Sequence, residues 1–308
     1  VSNIYADING VFLNSWNRSY GNKILHILFL INLCEKHTRV PIIYSGSDLD
    51  DIFNFKLKTI LPVELNEKKY FFEESDSFYI QNKYLKLLGL NYKFFNKDIS
   101  SVIINSYRSF LERNFLLEQA DIPESGAMIK GHFFEYNLMP KLEIFNKYIS
   151  VREGLVTYIC DKYHDIKSEK SVAVHYRGTD FSAHLKHLFP KGIQVDKFYY
   201  ERAIEKVESL LGNNVTYHLF SDDINSLKEI FKDKNVVVHN DSASEDWVAI
   251  FLMKNVIQTN SSFCWTASLY NKVVSIQPQD GYNYHQNNGS IPFDFHHKNA
   301  ILIRSNTV

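Results

Sequence analysis

Val172-Ala173-Val174-His175-Tyr176-Arg177-Gly178-Thr179-Asp180 changes character midway, from an apolar run to imidazole, guanidinium, glycine and carboxylate. Strands buried on both faces read as continuous apolar runs, so residues 172–176 predict a strand inside a parallel sheet. The polar residues then stand at its carboxyl end. Downstream the pattern repeats, with strands at 215–220, 236–238, 256–258 and 273–276. Between them lie helical stretches at 195–211, 224–231, 245–253 and 263–270. Such alternation predicts a doubly wound α/β domain whose ligands gather at the carboxyl ends of the strands.

Upstream, Asn3–Asp7 reads as a strand, Ser15–Asn22 as a loop, Lys23–His37 as a helix and Val40–Tyr44 as a strand, the start of a βαβ unit. Further helical patterns lie at 82–88 and 106–119. A chain of 308 residues suits two domains. The aperiodic polar stretch Asp161–Lys170 places their boundary, dividing the chain into 1–165 and 166–308.

Composition excludes several function classes. A net charge of −1 and a pI near 6.9 provide no basic field for nucleic acid or an anionic membrane. The 15% aromatic share belongs mainly to the core, although ring faces also stack on sugars. Cys34, Cys160 and Cys264 are too scattered for a metal or redox pair, and suit a reducing, cytoplasmic setting. The apolar run Ile24–Cys34 is too short to span a bilayer, and no signal peptide is visible. Peripheral membrane association stays open. Dinucleotide, P-loop, zinc-protease and serine-hydrolase motifs are missing from the sequence.

The polar clusters fall where this topology puts a site. Arg177 can grip a diphosphate through its fork of donors, and Gly178 lets backbone approach closely; an Arg–Asp surface pair is the plainer alternative. Thr259-Asn260-Ser261-Ser262-Phe263 ends a strand and opens a helix, which favours an anion, with Ser262 as the expected N-cap. Ser221-Asp222-Asp223 ends another strand, where capping is the plainer explanation although the turn faces the same crevice. Asp246 opens a further helix, whose dipole favours a carboxylate. His184 and His187 follow the Arg loop and could accept a proton. Trp247 and Trp265 read as core.

Taken in order, five segments resemble the inverting fucosyltransferase superfamily, and within it glycosyltransferase family 11, the α-1,2 group. They are Tyr20-Gly21-Asn22-Lys23, Lys130-Gly131-His132-Phe133-Phe134, the 175–180 loop, Phe220-Ser221-Asp222-Asp223, and the run 246–253 leading into Asn260–Trp265. The resemblance implies a GT-B-like α/β fold, two Rossmann-like domains facing a cleft, with GDP-fucose held by the C-terminal one and no metal cofactor. It implies that Arg177 holds the donor diphosphate, that His175 and Asp246 contact guanine, and that Asn260, Ser261 and Ser262 bind phosphate beside Ser221 and Asp222. Gly21, Asn22 and His132 fall on the acceptor side. Asp180, then His184 and His187, are the candidates for catalytic base. The implied reaction transfers fucose with inversion to a glycan hydroxyl, terminal galactose in α-1,2 linkage, in microbial surface polysaccharide synthesis. One departure is Gly178, where family members often carry a second Arg. The N-terminal loop also lacks a glycine-rich run before Gly21.

Other readings remain at this stage: a GT-B enzyme with a different nucleotide-sugar donor, an inactive nucleotide- or glycan-binding module, and a metal-dependent GT-A enzyme. The last rests on Asp48-Leu49-Asp50, a D-x-D pattern that also reads as an acidic helix start.

Overall fold

The computed structural model describes residues 3–7, 20–36, 38, 40–44, 48–60, 127–129, 136–178, 195–279 and 296–304. The chain forms two compact units, Val1–Ser150 and Val151–Val308.

The first unit contains β1 (Asn3–Asp7), α1 (Tyr20–Lys36), β2 (Val40–Tyr44), β3 (Phe53–Phe55), β4 (Lys58–Ile60), β5 (Ala127–Ile129) and α2 (Leu142–Tyr148), and β6 (Ile149–Val151) follows. Its sheet runs β4-β2-β1-β5, with parallel pairings throughout. The β1–α1–β2 passage is the βαβ unit that the sequence pattern implies. Helix α1 buries residues around most of its circumference, as a helix without a polar face must. At its C-terminal end, Glu35 accepts from Lys147 Nζ at 2.7 Å and Tyr148 OH at 2.9 Å, which ties α1 to α2. The helix begins at Tyr20, so Gly21 and Asn22 stand in its first turn rather than in the preceding loop. Asp48–Asp51 forms a 3-10 turn held by buried Leu49, with Ile52 buried just after it. That accounts for the D-x-D pattern as an acidic turn. Ser15–Ser19, residues 82–88 and residues 106–119 lie outside the described residues.

The second unit contains α3 (Glu153–Lys162), β7 (Ser171–Tyr176), α4 (Lys197–Leu211), β8 (Thr216–Ser221), α5 (Ile224–Ile230), β9 (Asn235–Val238), α6 (Ala243–Leu252), β10 (Asn255–Ile257), α7 (Ser262–Ala267), β11 (Val274–Pro278) and β12 (Ile301–Ile303). The division at Ser150 precedes the expected boundary after residue 165, because α3 packs on α6. Beyond α3, Tyr163 OH donates to Asp241 Oδ2 at 2.7 Å, and Lys162 pairs with the same carboxylate. The sheet order is β12-β11-β10-β7-β8-β9, all parallel. The chain moves outward from β7 through β8 to β9, then returns to lay β10 on the other side of β7. This reversal opens a crevice at the carboxyl ends of β7 and β10.

Helix α4 covers the reversal. Asp196 caps it by accepting from Tyr199 N–H at 3.0 Å. Its apolar face buries Tyr199, Tyr200, Ala203, Ile204 and Val207 against Val172, Val174, Ile257 and Ile276. Both phenols bond to strand-end carbonyls: Tyr200 OH donates to His175 O at 2.9 Å, and Tyr199 OH to Gln258 O at 2.5 Å. On the other side of the order, half-buried Lys272 donates to the carbonyls of Ile250, Phe251 and Met253 at 2.8, 3.1 and 2.5 Å. Burial draws its pKa down to about 7, while these carbonyls at the negative end of α6 favour the ammonium.

Replacing Tyr200 by Phe leaves the His175 carbonyl buried without this donor. A loss of about 1–3 kcal/mol in unfolding free energy is expected, read from the urea midpoint with unchanged slope.

Candidate functional site

Three strand ends lie side by side: β10 leads into Gln258–Ser261, β7 into Arg177–Gly178, and β8 into Asp222–Asp223. Tyr176 is in register with Ser221, so the loops after β7 and β8 meet directly. Gly178 N–H donates to Asp222 Oδ1 at 2.7 Å, and Arg177 Nε lies 3.4 Å from Asp222 Oδ2. The glycine is required by space. A Cβ at 178 would stand 2.8 Å from Asp223 Cβ and 2.8 Å from Tyr176 Cε1.

Ser221 and Asp223 complete the turn. Ser221 Oγ accepts from Asp223 N–H at 2.8 Å. Asp223 caps α5, accepting from Ser226 N–H at 3.3 Å and Ser226 Oγ at 2.7 Å.

His175 is 5% exposed and tilts against Phe263 of α7, their ring centroids 5.7 Å apart. Its Nδ1 is buried without a hydrogen-bond partner. Burial, aided by the Arg177 charge, lowers its pKa to about 3, so the ring is neutral. Asn260, Ser261 and Ser262 are all buried after β10. Ser261, not Ser262, is the N-cap of α7: its backbone is still extended, and its carbonyl accepts the first helical bond from Trp265 N–H at 3.0 Å. It makes no side-chain capping bond. Trp247 and Trp265 are core residues, and Trp247 Nε1 donates to Thr266 Oγ1 at 3.1 Å.

Asp246 occupies the first turn of α6, which Ser242 caps in a reciprocal capping box with Glu245. One Asp246 carboxylate oxygen is buried without a partner. Burial, then the nearby Asp241 and Glu245 charges, raise its pKa to about 8. A polar group beside it escaped the sequence reading. His218 Nδ1 and His239 Nε2 stand 3.0 Å apart, His218 Nε2 faces Asp165 at 3.4 Å, and His239 Nδ1 faces Asp241 at 3.5 Å. Both histidines end or interrupt apolar strands, and a polar residue at an inward strand position was the available signal. Among the described residues, His239, Asp241 and Asp246 form the group able to hold a metal ion, their ligand atoms within 4.8 Å of one another. The ammonium of Lys162 and the hydroxyl of Tyr163 already satisfy Asp241, so the chain supplies its own counter-charge.

Asp180, His184, His187 and His132 lie outside the described residues. Gly21 and Asn22 belong to the first unit, with Gly21 buried in α1.

Two outcomes follow from this packing. Gly178→Ala forces the β7 and β8 loops apart and lowers stability by about 1–3 kcal/mol in chemical denaturation. Acid is also destabilising. His175, His239 and His297 are held neutral in the fold, with pKa values lowered from 6.5 to about 3 chiefly by burial. Below pH 6.5 the unfolded chain takes up protons that these rings refuse, so stability falls with pH. Asp246 carries the opposite sign between 3.8 and about 8, one group against three. The thermal midpoint therefore drops between pH 6.5 and pH 5.

No curated protein sequence matches the chain. Among solved structures, it is similar to the NodZ α-1,6-fucosyltransferase soaked with GDP-fucose: 14% identity, 87% of this chain, 92% of that one and a TM-score of 0.51. The selenomethionine form of fucosyltransferase NodZ from Bradyrhizobium matches at 14% identity, 86% and 91% coverage and a TM-score of 0.51. These likenesses show a shared GT-B-like α/β fold. Among the described residues, no helix is long and apolar enough to cross a membrane. The glycosyl transferase family 11 profile matches residues 132–285, half of the sequence and most of the sheet just described, and the chain belongs to that family of glycosyltransferases.

Proposed function

We propose that this protein is a fucosyltransferase that moves fucose from GDP-fucose to a glycan hydroxyl, with inversion and without a metal cofactor. The observation that carries the reading is the β7–β10 register, which sets Arg177 and the buried Asn260-Ser261-Ser262 turn on adjoining strand ends at the reversal. A guanidinium follows one of these strands and a set of hydroxyl, amide and backbone donors follows the other, where a doubly wound sheet takes its ligand. The similar NodZ structure was soaked with GDP-fucose, which fits the same donor.

In this reaction the acceptor oxygen attacks the anomeric carbon as the bond to the β-phosphate oxygen breaks. GDP departs with the bonding electrons, and the acceptor proton passes to a base, for which Asp180, His184 and His187 are the candidates. Arg177, with Asn260, Ser261 and Ser262, stabilises the charge growing on the diphosphate, the task that a metal performs elsewhere. Asp246 suits the guanine edge, because its unpartnered oxygen can accept from the ring N–H and amino groups. Neutral His175 adds a ring nitrogen to that end of the site. Ser221 and Asp222 line the neighbouring strand end.

Gly21, Asn22 and His132 are assigned to the acceptor, terminal galactose in α-1,2 linkage, within microbial surface polysaccharide synthesis. Cys34, Cys160 and Cys264 form no disulfide, which suits a cytoplasmic location.

Calorimetry with GDP, UDP and CMP in the presence of chelator tests the donor. Selective binding of GDP is expected, weakened on the order of a hundredfold by Arg177→Ala, the size of a lost charged hydrogen-bond pair. Preference for UDP or CMP overturns the donor while keeping a transferase, and binding that vanishes with chelator overturns metal independence.

A further inference from the structure

The Asp222 side chain is 26% exposed; one of its oxygens accepts from the Gly178 N–H at 2.7 Å, and the other is ion-paired with Arg177 Nε at 3.4 Å. A carboxylate has acceptors only, as has a diphosphate. Set in direct contact, the two anions would repel with no proton to share. The carboxylate therefore helps a diphosphate only through a cation standing between them, and among the described residues Arg177 is ion-paired with it.

The residues on either side of Asp222 have structural tasks of their own. Ser221 closes the turn, and Asp223 caps α5 while pressing against Gly178. Position 178 has no room for even a methyl group, so no second guanidinium can stand there without parting the loops. The clamp must work with one arginine, and the orientation of that arginine decides its grip.

We infer that Asp222 is a positioning residue that acts on the donor diphosphate solely through Arg177, in a single-arginine clamp whose loop spacing is set by the contact between Gly178 and Asp223. The inference rests on the reading of Arg177 as the diphosphate ligand, and revises the assignment of Asp222 to direct nucleotide contact. The carboxylate fixes the plane of the guanidinium and, through the Gly178 N–H, the backbone that carries it. Loss of the carboxylate should leave Arg177 charged and present but poorly aimed.

A double-mutant cycle on the whole protein tests this, with GDP and guanosine as calorimetric probes. Asp222→Ala is expected to weaken GDP binding on the order of tenfold and leave guanosine binding unchanged, because guanosine has no phosphate to grip. In the Arg177→Ala background the same substitution should change GDP affinity less than about twofold, since nothing remains to be positioned. Asp222→Asn, which keeps an acceptor for Gly178 N–H but loses the charge, should fall between wild type and Asp222→Ala, and guards against a folding defect. Additive losses, or equal losses for GDP and guanosine, overturn the inference.

A second readout needs no ligand. The Arg177 Nε–H resonance of the free protein should be protected from solvent exchange in wild type and lose that protection in Asp222→Ala. Unchanged protection overturns the positioning role. Should wild type bind no GDP, the donor reading fails by itself, and the resonance still decides whether Asp222 holds Arg177.

Discussion

Backbone carbonyls at the end of a buried strand must find donors, and the ladder between β10 and β7 stops at Ile257 and Val174, one residue short of Gln258 and His175. In this protein two consecutive tyrosines of α4 meet that demand. Tyr200 takes the His175 carbonyl and Tyr199 the Gln258 carbonyl, on the two strands that flank the reversal. The same rings form much of the core between helix and sheet, so packing and polar satisfaction share the same side chains. With the strand ends pinned, the Arg177 and Asn260–Ser262 segments emerge at fixed positions. The site inherits its rigidity from this brace.

The second unit was legible in the sequence because its strands are uninterrupted apolar runs separated by helices of ordinary length. Each predicted strand from β7 to β11 appears within two residues of its expected bounds. Helix α3 and strand β12 were not legible. The first is ten residues long with Ile159 as its buried residue, and the second has three residues only. In the first unit, the opening βαβ pattern was readable from the hydrophobic density of α1. For the candidate site, the placement of Arg177 and the serine turn at strand ends was readable, because this topology puts such polar residues at the carboxyl ends of its strands. The pairing of Asp222 with Gly178 was not, because it joins residues 44 apart through a register that no local pattern encodes. Nor was the capping by Ser261, since two adjacent serines offer the same chemistry and only the backbone chooses between them.

Charge is kept apart within the second unit. On the β7 side the site holds a cation, Arg177, beside a histidine that burial leaves neutral. On the β9 side, Asp241 is neutralised by Lys162, whereas Asp246 is left as a buried carboxyl that burial and its acidic neighbours drive towards protonation. Under the proposed donor reading, the anionic end of the nucleotide would meet the first side and its base the second.

The contact between Gly178 and Asp223 also bears on how this lineage can change. The obstruction comes from a Cβ, which every residue but glycine carries, so any substitution at 178 makes the two loops shift whatever acid or amide caps α5. A side chain at 178 becomes affordable only if the turn after β8 is itself rebuilt, which makes the two loops a unit of inheritance. Sequences that keep the Ser-Asp-Asp turn in this geometry should keep the glycine with it, and those that carry an arginine there must have travelled by a different backbone.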